Sequence, residues 1–181
     1  MRYMDKIKVF TPIYDNCNGK DTIYDIMPLR VFLGGTIDNG ESINWQDELI
    51  GELSSCDTVH PIVVFNPRRF EWPSSDDHSE IDKQIKWELS HLEDADIIVM
   101  NILGNSKSPI SLMEIGLFAK DHKLIVFCEP NFYRFDNVRV VCERYNVPLY
   151  QTNEILAIKN KILQFANMHK NVRYITPNRY V

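Results

Sequence analysis

The chain has 181 residues, of which 44% are hydrophobic and 25% are charged, a composition typical of one globular domain with a hydrophobic core. Its formal net charge of −5 argues against a nucleic acid polymer as a partner, because phosphate contacts need clustered Lys and Arg. The N-terminus lacks the pattern of a signal peptide, and no apolar run approaches the roughly 18 residues of a membrane span, so we expect a cytoplasmic protein without a membrane partner.

The predicted strands are short runs rich in β-branched residues. In chain order they cover residues 7–11, 30–34, 62–66, 96–101 and 124–128. Because the last four are continuously apolar, we expect strands that are covered on both faces. The first run belongs to residues 1–28, which we expect to form an addition at the edge of a single domain.

The predicted helices show apolar residues at a helical period between these strands. They cover residues 42–53, 79–93, a segment from Ser108 or Ser111 to about residue 120, 137–145 and 154–168. Ser42 is the expected N-cap of the first helix. Strands that alternate with helices predict an α/β fold, in which helices cover both faces of a parallel sheet. Residues 153–181 are expected to form a C-terminal helix and a tail that packs on the body or on a neighbouring subunit.

The loops at the carboxyl ends of parallel strands converge on one crevice, where ligands bind. Four segments should meet there: residues 34–40, 66–70, 102–109 and 129–137. Gly34 and Gly35 directly follow a strand, where glycine lets the backbone approach a ligand closely. No GxGxxG pattern follows them, which disfavours a nicotinamide dinucleotide domain. The turn-rich loop 67–77 is expected to cover the site.

Two glutamates are candidates for chemistry. Glu114 stands in a helix that is otherwise nearly all apolar. It either reaches the surface or is partly desolvated near the helix N-terminus, and the second arrangement suits a nucleophile or an acid/base. Glu88, late in the preceding helix, is either a solvated charge or a second functional carboxylate that faces the crevice.

The cysteines and other metal-ligating residues predict neither a metal centre nor a disulfide framework. The four cysteines are Cys17, Cys56, Cys128 and Cys142, and none belongs to a CxxC pair or to a short Cys/His spacing. We expect the protein to need no metal or other cofactor.

Several motifs together resemble those of nucleoside 2-deoxyribosyltransferases, in particular the branch common in bacteria and phages. They are residues 31–37 (VFLGGTI), Asp47, 65–69 (FNPRR), 84–88 (QIKWE), 95–96 (AD), 109–116 (PISLMEIG) and 132–138 (FYRFDNV). The resemblance implies a flavodoxin-like or Rossmann-like three-layer sandwich with a mostly parallel sheet of about five strands, whose core is residues 29–152. It also implies an enzyme that cleaves the N-glycosidic bond of a 2′-deoxynucleoside and transfers the sugar to another nucleobase.

The resemblance also implies roles for individual residues. Glu114 is the nucleophile that forms a covalent 2-deoxyribosyl intermediate, and Glu88 is the acidic group near the base. Asn137 matches an asparagine that reaches the sugar hydroxyls from a neighbouring subunit, which implies a homo-oligomer with shared active sites. Phe70 and Trp72 either stack on a base or pack within their loop. The residues expected to line the pocket are Gly34, Gly35, Asn66 and Arg69.

One position departs from the family pattern. Some members carry an acidic residue six positions before the nucleophile, where it binds the sugar 5′-hydroxyl, whereas this chain has Ser108, with Ser111 nearby. Hydroxyls at a helix N-terminus suit a phosphate, and the related deoxynucleoside monophosphate glycosidases use a serine there. The substrate is therefore a nucleoside or a 5′-monophosphate, and the acceptor is a nucleobase or water. Ser108 alternatively only caps the helix.

A catalytically silent nucleotide-binding module is a third interpretation of this sequence. The presence of both Glu114 and Glu88 argues against it, since a binding protein has no need of a buried nucleophile.

Overall fold

The computed structural model describes residues 7–12, 28–56, 60–74 and 76–169. Most of the expected N-terminal addition and the expected tail at residues 170–181 lie outside the described residues.

The strands within the described residues form one all-parallel sheet of six strands. They are β1 (Ile7–Phe10), β2 (Leu29–Gly35), β3 (Ile62–Phe65), β4 (Ile97–Ile102), β5 (Leu124–Cys128) and β6 (Leu149–Tyr150). The strand order is β1-β3-β2-β4-β5-β6. Without the edge strand β1, the other five follow the order 2-1-3-4-5 of flavodoxin-like folds. The predicted α/β fold with a parallel sheet is confirmed, and β6 is an additional strand whose two residues are too few for a sequence pattern.

The helices in the described part of the chain lie close to the predicted segments. They are α1 (Trp45–Ser54), α2 (His78–Asp94), α3 (Pro109–Phe118), α4 (Phe135–Tyr145) and α5 (Ile155–His169). The predicted start of α1 was wrong, because the side chain of Asn44, and not that of Ser42, accepts the capping hydrogen bond from the Asp47 amide. The Ser42 hydroxyl donates instead to the carbonyl of Ile37.

The helices cover both faces of the sheet. Leu92 of α2, Ile115 of α3 and Val138 of α4 belong to one buried cluster, while Leu49 of α1 and Ile158 of α5 belong to the other. Alternate residues of each strand enter opposite clusters, which explains why β3, β4 and β5 are buried along their whole length. None of the helices in these ranges is long and apolar enough to cross a membrane.

Candidate active site

A cavity of about 290 Å³ lies above the point where the strand order reverses. The chain leaves β2 toward β3 on one side of the sheet and leaves β4 toward β5 on the other, which opens a crevice between the loops. We call it the β2/β4 cavity. Its walls come from the end of β2 with the following loop, from the start of α3, and from α2. Its volume is near the lower end of the usual range for small-molecule sites.

Glu114 enters the β2/β4 cavity from α3. This residue is only 7% exposed, whereas Ile110, Met113 and Leu117 of the same helix are each more than half exposed. The helix therefore turns this carboxyl group inward, beside the buried Ile115 and Phe118, and leaves these three apolar side chains outside. Burial, assisted by the charge of Glu88, raises the pKa of Glu114 to about 8. No described residue donates a hydrogen bond to this carboxylate, so its oxygens are available to a ligand.

Glu88 faces the same cavity from α2, so it is not a solvated helix charge. Gln84, one turn earlier, donates a hydrogen bond of 2.6 Å to Glu88 Oε1 and another of 2.9 Å to the carbonyl oxygen of Pro67. The second bond fixes the amide orientation, because a carbonyl can only accept. Burial raises the pKa of Glu88, and the bond from Gln84 partly opposes this rise by favouring the ionised form.

Ser108 precedes α3 in a left-handed conformation, and its hydroxyl makes no capping bond. Instead, Ser108 Oγ lies 2.7 Å from Thr36 Oγ1 and 2.9 Å from Ser106 Oγ. Ser106 donates in turn to Asp38 Oδ1 at 2.7 Å. The Ser111 hydroxyl donates to the carbonyl oxygen of Gly35. The hydroxyls at this helix N-terminus are therefore engaged with the loop that follows β2.

The loop after β2 is held in place by Arg68. Its guanidinium donates to the carbonyl oxygens of Gly40 and Ser42 at 2.7 Å and to that of Ile43 at 3.2 Å. Trp72 packs against Gly40, where any side chain would collide with the indole ring, and it also lines the cavity. The loop 67–77 thus lines the cavity with Pro67 and Trp72.

The structure brings together seven of the residues singled out from the sequence. Gly34, Gly35, Trp72, Glu88, Ser108, Ser111 and Glu114 all line the β2/β4 cavity.

Two expected lining residues, Asn66 and Arg69, and the candidate base-stacking residue Phe70 lie outside the wall of the cavity. Asn66 is buried, and its Oδ1 accepts a hydrogen bond from the Arg68 amide, so it shapes the loop. Arg69 pairs with Glu80 at 3.3 Å. Phe70 is 98% exposed, so it does not pack within its loop, and it does not line the cavity.

Asn137 lies in a separate hollow of about 310 Å³ between α3 and α4, which we call the α3/α4 hollow. Ile115 and Gly116 of α3 line it together with Asn137. These residues lie on a different side of α3 from Ser111 and Glu114, which line the β2/β4 cavity. Asn137 of one chain therefore does not line that same chain's β2/β4 cavity.

Gln84 and Asp38 are cavity residues that sequence reasoning missed. Gln84 stands four residues before Glu88, a spacing at which two side chains on a helix meet. Asp38 stands within the segment 34–40 that was expected to reach the crevice, but nothing in the sequence shows that Ser106 would bond to it. Among the described residues, no group of three or more His, Cys, Asp or Glu side chains is placed to hold a metal ion.

A family model described as "Nucleoside 2-deoxyribosyltransferase like" matches residues 28–132 of the chain. This range contains the whole wall of the β2/β4 cavity and ends before Asn137. A comparison with curated proteins returns no match.

Proposed function

Because this chain belongs to the nucleoside 2-deoxyribosyltransferase-like family, we propose that it cleaves the N-glycosidic bond of a 2′-deoxynucleoside and transfers the 2-deoxyribosyl group to another nucleobase. The observation that carries this proposal is the placement of Glu114. The residue is 7% exposed, and its side chain lines a cavity at the switch point of the sheet and receives no hydrogen bond from the described residues. A side chain with these properties can form a bond to a ligand without first breaking a structural interaction.

The proposed reaction consists of two displacements at C1′. In the first, a Glu114 oxygen attacks C1′ while the bond from C1′ to the base nitrogen breaks and leaves its electron pair on the base. The carboxylate stabilises the positive charge that develops on the sugar. Glu88 donates a proton to the departing base. In the second, a nitrogen of another base attacks C1′ and gives up its proton to Glu88, while Glu114 leaves as the carboxylate. The two displacements together retain the configuration at C1′.

Glu88 supplies the proton that this reaction needs. Burial raises the pKa of Glu88, so this carboxyl group holds a proton to a higher pH than a solvated glutamate does. Burial also raises the pKa of Glu114 to about 8. In the proposed reaction the proton of Glu88 passes to the leaving base, and Glu114 attacks C1′ in its ionised form.

We also propose that the enzyme is a homo-oligomer in which a second copy completes the site. The support is the apolar outer face of α3, on which Ile110, Met113 and Leu117 are 56%, 54% and 55% exposed. Ile110 lies at the wall of the β2/β4 cavity as well, so a chain that covers this face lies next to the substrate. Asn137 of the second copy is then available to contact the sugar hydroxyls.

Incubation with substrates separates the candidate functions. Deoxyadenosine or deoxycytidine is incubated with and without a second free base, and the products are separated by chromatography. Base exchange supports the transferase, and free 2-deoxyribose supports an N-glycosidase, in which water is the acceptor. If neither product forms and Glu114→Ala binds nucleosides as the wild type does, the protein is a binding module and the catalytic proposal is wrong.

The nucleophile is tested by substitution. We expect Glu114→Ala to lower kcat by more than about 1,000-fold without loss of the fold, because no other group replaces the covalent step. The matched control is Glu93→Ala, which removes an exposed carboxylate that does not line the cavity and should leave kcat unchanged. A Glu114→Ala activity within about tenfold of the wild type, roughly 1.4 kcal/mol of barrier, contradicts the assignment.

A further inference from the structure

The hydroxyl groups beside the β2/β4 cavity form a chain with a defined direction. Each hydroxyl has one proton to donate. Ser106 uses its proton on Asp38 Oδ1, at 2.7 Å, so Ser108 must be the donor in the 2.9 Å contact with Ser106. Thr36 must then be the donor in its 2.7 Å contact with Ser108. Each group in this series therefore donates its proton to the next: Thr36 donates to Ser108, Ser108 to Ser106, and Ser106 to Asp38.

This direction decides what Ser108 can offer a ligand. Its proton is committed to Ser106, so toward the cavity it presents only an oxygen lone pair. The hydroxyl thus acts as a hydrogen-bond acceptor, which suits a ligand hydroxyl that donates and does not suit the acceptor oxygens of a phosphate.

The charges around the cavity also disfavour a phosphate. Among the described residues that line it, three are carboxylic acids and none is Lys, Arg or His. The side chain of Lys107 is exposed and does not line the cavity. A phosphate placed here would meet negative groups with no cation in the wall.

The N-terminus of α3 has fewer free backbone amide protons for an anion than most helix N-termini have. Pro109 is its first residue and has no amide proton, and the amide of Ser108 already donates to Ser106 Oγ at 3.1 Å. Two of the amides that would otherwise point at an anion are therefore absent or engaged.

We propose that Asp38, acting through Ser106, makes Ser108 a hydrogen-bond acceptor for the 5′-hydroxyl of the sugar, so that the site selects nucleosides over their 5′-monophosphates. This inference rests on the proposed function, because that proposal places the sugar in the β2/β4 cavity. Asp38 is a positioning and specificity residue here: its carboxylate orients the hydroxyl chain and repels a phosphate.

Asp38→Asn is the variant that tests this inference. Asp38 and Asn39 both have left-handed backbone conformations, with φ of 49° and 52°, which Asn tolerates as well as Asp. An amide group at this position is uncharged and can donate a hydrogen bond to Ser106. Ser106 can then donate to Ser108 instead of accepting from it, which leaves the Ser108 proton available for a phosphate oxygen. The matched control is Glu41→Gln, which removes the same charge from the same loop at an exposed residue outside the cavity wall.

Three substrates are compared by kcat/KM: a 2′-deoxynucleoside, its 5′-monophosphate and its 5′-deoxy analogue. We expect the wild type to prefer the nucleoside over the monophosphate by more than about 100-fold and over the 5′-deoxy analogue by more than about tenfold. Asp38→Asn should lower the first ratio at least tenfold, while Glu41→Gln should leave it within twofold. A wild type that prefers the monophosphate, or a ratio that Asp38→Asn does not change, overturns the inference.

Binding measurements separate this inference from the proposed function. Titration calorimetry of Glu114→Gln with the nucleoside and with the monophosphate gives the same comparison without turnover. If the wild type releases no base but binding favours the nucleoside in a manner that depends on Asp38, the proposed function fails and this inference stands. If base is released but Asp38→Asn changes neither the kinetic nor the binding preference, the inference fails and the proposed function stands.

Discussion

At the scale of single residues, Glu114 determines the character of the site. The helix α3 buries Ile115 and Phe118 in the core, as a helix that faces a core normally does. It also buries this carboxyl group, while Ile110, Met113 and Leu117 remain exposed. The free energy of burying a carboxyl group is lower when the group is protonated, which is why the pKa of Glu114 is raised to about 8.

The raised pKa makes the stability of the protein depend on pH. The folded state binds the Glu114 proton more tightly than the unfolded state, so between the usual pKa of 4.5 and about 8 the free energy of unfolding falls as pH rises. Glu114→Gln removes this ionisation. We expect the unfolding free energy of the variant, minus that of the wild type, to grow by up to about 1.4 kcal/mol per pH unit across this window. Urea denaturation from pH 5 to 9 measures the difference, and a constant value would contradict the raised pKa.

At the scale of secondary structure elements, the cavity depends on the close pairing of β2 with β4. Gly35 pairs with Asn101 at the ends of these strands, and it has a φ of +131°. A side chain at this position would collide with the backbone of Asn101. Gly35 was expected to let the backbone approach a ligand, and the contact with β4 requires a glycine here as well. Its carbonyl oxygen also accepts the hydrogen bond from Ser111.

Gly35→Ala should therefore destabilise the protein by at least about 2 kcal/mol, because the conformation is strained for alanine and the backbone of Asn101 must move. Gly51→Ala is the control: Gly51 lies in α1 with no atom near the position of a new Cβ, so this change should stabilise the helix by up to about 1 kcal/mol. Free energies of unfolding from urea titrations test both changes. Equal effects of the two substitutions would refute the role given to Gly35.

At the scale of the whole molecule, the candidate functional residues lie in two neighbouring concavities separated by α3. The β2/β4 cavity contains both glutamates, and the α3/α4 hollow contains Asn137. The exposed apolar residues of α3 face neither core cluster. A second copy of the chain packed on this face is the proposed means by which Asn137 meets a substrate.

Leu117→Asp tests this assembly. We expect the variant to shift to the monomer in light scattering coupled to size-exclusion chromatography and to lose more than about tenfold in kcat/KM, because a buried unpaired charge disrupts an apolar interface. Leu156→Asp is the control, because Leu156 is 56% exposed and Leu117 is 55% exposed. Leu156 lies on α5, which packs on the opposite face of the sheet from α3. A wild type that is already monomeric, or an equal effect of both substitutions, contradicts the proposal.

The local patterns of the sequence predicted most of the fold, because the spacing of apolar residues within a strand or helix depends on which of its faces are buried. The continuous apolar runs of β3, β4 and β5 and the helical period of α2 are visible within a few residues of chain. The ends of the helices were predicted less well. The N-cap of α1 is Asn44 because its side chain accepts a hydrogen bond from a backbone amide of the first turn, and several nearby polar residues could do so from the sequence alone. The two-residue strand β6 is defined only by its pairing with β5.

By itself, the sequence determined the alternation of strands and helices, the crevice at which the loops converge, and the two glutamates as candidates for chemistry. Only the tertiary structure decided which side chains meet there. It brought Gln84 to the carbonyl oxygen of Pro67 and Asp38 to Ser106. Asn66, Arg69 and Phe70 do not belong to the cavity wall. Hydrophobic patterns are local and can be seen along the chain, whereas a hydrogen bond between residues 68 positions apart, such as that from Ser106 to Asp38, exists only after the chain has folded.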